Sequence, residues 1–177
     1  MNRCAVNKIQ RVIRRKKLSA HLYKMEQYKH HQEVTTMLHC IAVAYYSLCI
    51  ASMFRIKIRS ESMIIGALFH DFYLYDWHVP EKYHQFHGIK HSRFAIKNLR
   101  KIYKTNAIEE NIILSHMFPL TLSPPLYRES IIVSMADKWC SIQETLFSKN
   151  HQELIQAFNL PLLQEYRYCV HNRKETP

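Results

Sequence analysis

Glycine and proline are scarce in this chain, which has two glycines and six prolines in 177 residues. β-Sandwiches and β-barrels need many tight turns, and these two residues supply much of the backbone geometry that turns require. Their scarcity argues against both architectures and favours long helices joined by short loops. Because 47% of the residues are apolar, we expect one sizeable core and a single domain over residues 1–177.

Paired cysteines are also lacking. The five cysteines are an odd number and form no C-x-x-C pair, and Cys40 and Cys49 lie in apolar runs where a free thiol behaves as a small buried hydrophobe. The N-terminus has neither the apolar stretch nor the small-residue cleavage site of a secretory signal. We therefore expect a reducing, cytoplasmic location.

Charged residues are missing from Val34 to Phe54, a stretch long enough to span a bilayer. It contains Thr36, His39 and Tyr45, whose polar groups would be costly against lipid. We predict the central, buried helix of a bundle, and no membrane span.

Acidic residues are absent from residues 1–25, and the whole chain carries 25 Lys+Arg against 14 Asp+Glu, a net charge of +11. The basic residues of this segment are Arg3, Lys8, Arg11, Arg14, Arg15, Lys16, Lys17 and Lys24. Such a segment attracts nucleic acid, an anionic membrane surface or a phosphorylated small molecule. A solvated helix face is an equally good interpretation, because charge alone identifies no partner.

The spacing of apolar residues predicts an all-α bundle of about seven helices with no strand. The predicted helices cover about residues 4–28, 33–54, 60–70, 90–103, 106–117, 127–148 and 150–168. His30 and His31 are assigned to the break between the first two helices. An aromatic, histidine-rich connection is expected at about 73–88.

Four residues that can bind metal interrupt the apolar helices. His39 lies within the second helix, the pair His70-Asp71 ends the third, and Asp137 lies on the sixth. Each alone is explained by hydrogen bonding in the core or by helix capping. Together they indicate a site, because buried carboxylates and imidazoles need partners and a divalent ion would satisfy all four. Imidazole and carboxylate without thiolate suit Fe, Mn, Co, Ni, Zn or Mg, and do not select among them.

The order His, His-Asp, Asp resembles the HD superfamily of metal-dependent phosphohydrolases, whose pattern is H…HD…D on an all-helical fold. LHCIAVAYYSLCIA resembles the helix of the first histidine, IIGALFHDF the helix that ends in His-Asp, and MADK the segment of the last aspartate. The resemblance covers about residues 30–148, between a basic N-terminal helix (1–28) and a C-terminal helix and tail (149–177). The strings HDFYLYDWH and HMFPL are most similar to bacterial members without an assigned substrate.

The resemblance implies these ligands for a first ion: His39, His70, Asp71 and Asp137. In binuclear members, including the diadenosine tetraphosphatase branch, two more histidines lie between His-Asp and the last aspartate. His91 and His116 occupy these places, which implies two divalent ions bridged by Asp71. His87 is the alternative to His91, and a single ion remains an alternative to two.

The implied activity is hydrolysis of a phosphorylated small molecule, a nucleotide or related phosphate ester, through a metal-bound hydroxide. Asp71 and His70 are the implied catalytic residues. The basic residues near the ligands in sequence are predicted to neutralise phosphate, with surface ion pairs as an equal alternative: Lys90, Arg128 and Lys138. Ser141 and Glu144 lie at helical spacing from Asp137, where they could orient a ligand imidazole.

Aromatic residues follow the His-Asp pair: Phe72, Tyr73, Tyr75 and Trp77. They are predicted either to stack on a base or to belong to the core. No H-D-x-x-E-D string and no G-Y-P signature is present, which disfavours guanosine tetraphosphate hydrolysis and cyclic dinucleotide cleavage. Two alternatives stay open. One is an HD fold that senses a nucleotide or binds nucleic acid through its basic N-terminus, and the other is a two-iron oxygenase.

Overall fold

The computed structural model describes residues 1–31, 34–75 and 87–146, together with Leu154, Ala157 and Phe158. This part of the chain contains seven helices, α1 (Arg3–Arg15), α2 (Ser19–Tyr23), α3 (Thr36–Met53), α4 (Ser60–Phe69), α5 (His87–Arg100), α6 (Ala107–Ser115) and α7 (Arg128–Leu146). Its strands are β1 (Lys29–His31) and β2 (Val34–Thr35). The predicted all-α fold is confirmed.

The N-terminal end differs from the prediction in two ways. The helix predicted over residues 4–28 is divided into α1 and α2, because Lys17 has a φ of 53° and a helix cannot continue through that left-handed conformation. The prediction of no strand was wrong at His30, which lies in β1. β1 pairs antiparallel with β2, with Lys29 opposite Thr35. The helix predicted over 150–168 falls outside the described residues, apart from three positions.

The central helix is α3, which packs against α1, α4 and α7. In the described part of the chain it is the one helix long and apolar enough to cross a membrane by length and composition alone. A buried core helix passes the same test, and α3 is buried along most of its length, as predicted.

Helices α4 and α6 lie side by side with little space between them. A Cβ atom on Gly66 of α4 would lie 2.7 Å from Cδ1 of Ile112 on α6, so glycine is required for this approach. Asn106 begins α6 with a capping box that includes Glu109, and its amide donates to Oγ of Ser62 on α4. The C-terminal ends of the two helices therefore lie close together, and His70 and His116 are the C-caps at those ends.

Candidate metal centre

The six residues predicted as metal ligands lie together in the interior. They come from five helices or their ends: His39 (α3), His70 and Asp71 (α4), His91 (α5), His116 (α6) and Asp137 (α7). None is more than 6% exposed, so the protein encloses most of the surface of these side chains.

Asp71 lies between two groups of imidazoles. Its Oδ1 is 3.2 Å from Nε2 of His91 and 3.6 Å from Nε2 of His116. Its Oδ2 is 3.6 Å from Nε2 of His70. One oxygen therefore faces each group, which is the arrangement required of a carboxylate that bridges two ions.

The first group is His39, His70 and Asp137. Oδ1 of Asp137 lies 3.1 Å from Nε2 of His39 and 3.5 Å from Nε2 of His70. One ligand atom from each residue lies within 4.8 Å of the other two. The second group is Asp71, His91 and His116, in which the two Nε2 atoms are 2.7 Å apart.

Hydrogen bonds on the outer side of three rings orient them. His70 Nδ1 donates to the carbonyl of Ala67, and His116 Nδ1 to the carbonyl of Ile113, each at 2.8 Å. His39 Nδ1 donates to the carboxylate of Glu144 at 2.9 Å. Each bond places a proton on Nδ1 and turns Nε2 into the cluster, as in histidines that bind metal through Nε2.

Two buried atoms in the cluster have unmet bonding capacity. Among the described residues, Nε2 of His70 and Oδ1 of Asp71 make no hydrogen bond of good geometry. Leaving a buried polar atom unpaired costs about 1–3 kcal/mol. Divalent ions would satisfy both atoms, and the nitrogen and oxygen donors suit the metals predicted from the sequence. The residues therefore fit a divalent metal centre.

The pKa values of the cluster follow from burial and from neighbouring charge. Burial raises the pKa of Asp71, but the imidazoles of His70 and His91 outweigh it and hold this pKa well below its ordinary value. Burial also lowers the pKa of His116, and its cationic neighbours lower it further, to about 3. For His39 the carboxylates of Glu144 and Asp137 overcome burial and raise the pKa to about 10. The carboxylates are thus ionised, as metal ligands must be.

Two residues join the cluster that were not among the predicted ligands. His30 of β1 places its Nε2 3.2 Å from Oδ2 of Asp71. Its ring stacks on His39 with 3.7 Å between ring centroids. Glu144 is buried on α7 and contacts both histidines, in the orienting position that its helical spacing from Asp137 predicts. No periodic pattern pointed to His30, because it belongs to a three-residue strand.

The predicted phosphate-binding residues have different locations. Lys138 lines the cavity over the cluster, and its Nζ donates to the carbonyl of His116 at 3.0 Å and to Oγ of Ser134 at 2.7 Å. Lys90 is exposed on α5 and does not line this cavity. Arg128 is the first residue of α7, where it donates to the carbonyl of Lys57 and lines another cavity. Its placement does not favour the predicted role.

His91 lies in the cluster. The side chain of His87 lies outside the described part of the structure, so the preference for His91 over His87 stays a prediction. Phe72 and Tyr73 are buried, Phe72 as part of the core, while Tyr75 is half-buried. Trp77 lies outside the described residues.

A cavity of about 780 Å³ opens over the cluster. The side chains of four predicted ligands line it: Asp71, His91, His116 and Asp137. The rest of its lining is mainly apolar and includes Met117, Phe118, Leu120 and Ile142. The volume falls within the range of pockets that bind small molecules and cofactors.

Comparison with known proteins gives one match. Residues 36–140 match the family model described as HD domain, and this range contains all six predicted ligands. His30 and Glu144 lie outside it. No curated protein and no solved structure matches the chain, so the predicted similarity to the diadenosine tetraphosphatase branch stays a prediction.

Proposed function

The chain belongs to the HD domain family, which is of the metal-dependent phosphohydrolase type, and on this premise we propose that it hydrolyses a nucleotide or a related phosphate ester at a centre of two divalent ions. One observation carries the proposal. Two buried atoms with unmet bonding capacity, Nε2 of His70 and Oδ1 of Asp71, lie among six His and Asp side chains beneath a cavity of about 780 Å³.

The protein side chains have separate tasks in this proposal. Bound divalent ions would supply a water of lowered pKa and neutralise phosphoryl oxygens. Asp71 offers one oxygen to each group of ligands, and His70 and His116 keep their Nε2 atoms directed inward through their Nδ1 hydrogen bonds. Lys138 is fixed beside the carbonyl of His116 and adds positive potential at the cavity wall, where a phosphate would approach.

The apolar side of the cavity favours a substrate with a flat or apolar group attached to its phosphate. Phe118 is 40% exposed and Leu120 is 57% exposed, and both line the cavity. A nucleobase placed on Phe118 would cover this surface while the phosphate lies over Asp71 and His116. This arrangement favours a nucleotide over a small, fully polar phosphate ester.

The test begins with the metal content of the full-length protein purified without added metal. A phosphate-release screen of nucleoside mono- and polyphosphates and dinucleoside polyphosphates then follows with Mn²⁺, Co²⁺, Ni²⁺, Zn²⁺ or Mg²⁺. We expect about two ions per chain and metal-dependent phosphate release. Asp71→Asn should lose both the bound ions and the phosphate release.

The matched control is Glu110→Gln, the same carboxylate-to-amide change in a surface pair with Arg100. It should keep the metal and the activity. Full metal content and full turnover in Asp71→Asn would contradict the proposed site, and no phosphate release from any compound by metal-loaded protein would contradict the proposed activity.

A second candidate function is nucleic-acid binding through α1, which contains no acidic residue. One face of α1 is buried, and Arg3, Lys8, Arg11 and Arg14 lie on its exposed surface. Binding that depends on these charges should weaken steeply as salt rises. Changing the four residues to Gln should remove that salt dependence without altering phosphate release. Equal affinity of the variant and the unaltered protein for RNA and DNA oligonucleotides would exclude this function.

A further inference from the structure

His30 and His39 form a pair with matching geometry. Their rings are nearly parallel, with an interplanar angle of 17° and 3.7 Å between centroids. The same carboxylate contacts the Nδ1 atom of each: Oε1 of Glu144 lies 2.9 Å from His39 Nδ1, and Oε2 lies 3.2 Å from His30 Nδ1. Glu144 therefore orients both imidazoles from one side.

The inner nitrogens of this pair both point at ligand carboxylates. Nε2 of His39 lies 3.1 Å from Oδ1 of Asp137, and Nε2 of His30 lies 3.2 Å from Oδ2 of Asp71. With Nδ1 donating to Glu144, Nε2 is in each ring the nitrogen through which an ion would bind. The two contacts that fit His39 as a ligand, Nδ1 against Glu144 and Nε2 against an aspartate, are thus repeated in His30.

The position of His30 also indicates which ion it would bind. Oδ2 of Asp71 faces His30 and His70, whereas Oδ1 faces His91 and His116. His30, His39 and Asp71 each bring one ligand atom within 4.8 Å of the other two. His30 therefore belongs to the half of the cluster that contains His39 and His70.

We propose that His30 is a seventh protein ligand of the metal centre, binding the same ion as His39, His70 and Asp137. That ion would have three imidazoles and two carboxylates, a set that favours transition metals over Mg²⁺. β1 lies before residues 36–140, the range that matches the family model. With His30 as a ligand, the metal centre therefore includes a residue from the segment before α3. The inference rests on the proposed metal centre and does not depend on the identity of the substrate.

The experiment uses full-length protein loaded with ¹¹³Cd²⁺ and labelled with ¹⁵N at the histidine rings. Scalar coupling between cadmium and a ring nitrogen identifies each ligand imidazole directly, without an activity assay. We expect coupled nitrogens in the five histidines of the cluster: His30, His39, His70, His91 and His116. His30→Gln should lose one of these couplings and bind Cd²⁺ at least about 10-fold more weakly, the smallest loss typical of residues that support a metal.

His21→Gln is the matched control, a change to another histidine of the N-terminal segment that makes none of the cluster contacts described above. It should keep all couplings and the affinity for Cd²⁺. His30→Ala repeats the test without an amide oxygen that could replace the imidazole, and circular dichroism confirms folding of each variant.

The outcomes separate the two proposals. Unchanged couplings and unchanged affinity in His30→Gln and His30→Ala would overturn the role of His30 and leave the proposed function intact. Weaker binding with no coupling to His30 in the unaltered protein would also overturn it, because His30 would then only position Asp71. No coupling to any histidine would overturn the metal centre and, with it, the proposed function.

Discussion

Glu144 shows how one buried carboxylate can orient two imidazoles. It is fully buried on α7 and accepts from Nδ1 of His39 while its other oxygen lies against Nδ1 of His30. We predict that Glu144→Gln lowers metal affinity about 10- to 100-fold, because an amide has one oxygen acceptor and its NH₂ group cannot accept from the second ring. Competition with a chromophoric chelator measures the change.

Glu110→Gln makes the same chemical change at the surface and should bind metal as the unaltered protein does. Equal affinities for Glu144→Gln and Glu110→Gln would show that the contact with Glu144 does not orient the rings.

Two adjacent glutamates on α6 should affect stability in opposite ways as pH changes. Burial raises the pKa of Glu109 above 4.5, so the folded state holds that proton more tightly and stability falls as pH rises from 4.5 through the folded pKa. The hydrogen bond from Arg100 lowers the pKa of Glu110 below 4.5, so its contribution is present above 4.5 and is lost as pH falls through the folded pKa.

Urea unfolding from pH 4 to pH 7, in the presence of a chelator, tests this prediction. Relative to the unaltered protein, Glu109→Gln should gain stability as pH rises, because an amide does not ionise in its buried position. The amide oxygen can still accept from the backbone N–H of Asn106, so the capping contact is kept. Glu110→Gln should lose stability over the same range. A pH-independent difference for both variants would contradict the assigned environments.

At the residue scale, sequence best predicts which residues lie in the cluster when a polar residue interrupts an apolar helix. His39 and Asp137 stand out in this way, and the helical spacing of Glu144 relates it to Asp137. His30 gives no such signal, since its position depends on a three-residue strand and on stacking against a ring nine residues later. Nearness in sequence is a poor guide in the case of Arg128, because a helix rises about 1.5 Å per residue and so carries it about 13 Å from Asp137.

At the scale of elements, α3, α4, α6 and α7 agree with prediction to within a few residues. Their apolar faces are long, and capping residues such as Thr35 and Asn106 define where α3 and α6 begin. The N-terminal segment is harder to predict from sequence, because the break at Lys17 and the β1–β2 pair depend on contacts between residues that are not adjacent in sequence. The backbone N–H of Thr36, for example, donates to the carbonyl of Tyr28 at 2.8 Å.

The close approach of α4 and α6 gives a prediction about a single methyl group. Gly66→Ala would place a Cβ atom 2.7 Å from Cδ1 and 2.8 Å from Cβ of Ile112, so the two helices must separate. We expect a loss of about 1–3 kcal/mol in the free energy of unfolding. Metal affinity should also fall, because His70 and His116 lie at the ends of these helices. Urea unfolding and chelator competition measure the two effects.

Gly88→Ala on α5 is the matched control. The nearest contact of its added Cβ would be Cδ2 of Leu120 at 3.3 Å, the far end of a side chain that is 57% exposed. Its free energy of unfolding should stay within about 0.5 kcal/mol of the original. A similar loss in both variants would mean that the α4–α6 approach is not the limiting contact.

At the scale of the whole molecule, the candidate metal centre connects five helices that are far apart in sequence. Its six predicted ligands extend from His39 to Asp137, and no short stretch of the unfolded chain contains all of them. Ions should therefore bind the folded state almost exclusively. Metal binding and folding are then coupled, and the stability of the bundle depends on the concentration of free metal.

Removal of the metal should lower the melting temperature of the whole domain. Free ion at about 100 times its dissociation constant stabilises a folded protein by about 2.7 kcal/mol per site. For a domain of this size, that corresponds to an increase of about 5–10 °C. Calorimetry with excess Mn²⁺ or Co²⁺ and then with excess chelator measures the difference. Asp71→Asn should show almost none of it, because Asp71 faces both groups of predicted ligands. Glu110→Gln should retain the full difference in melting temperature. If the melting temperature of the unaltered protein responds to neither ion nor chelator, the buried cluster binds no metal.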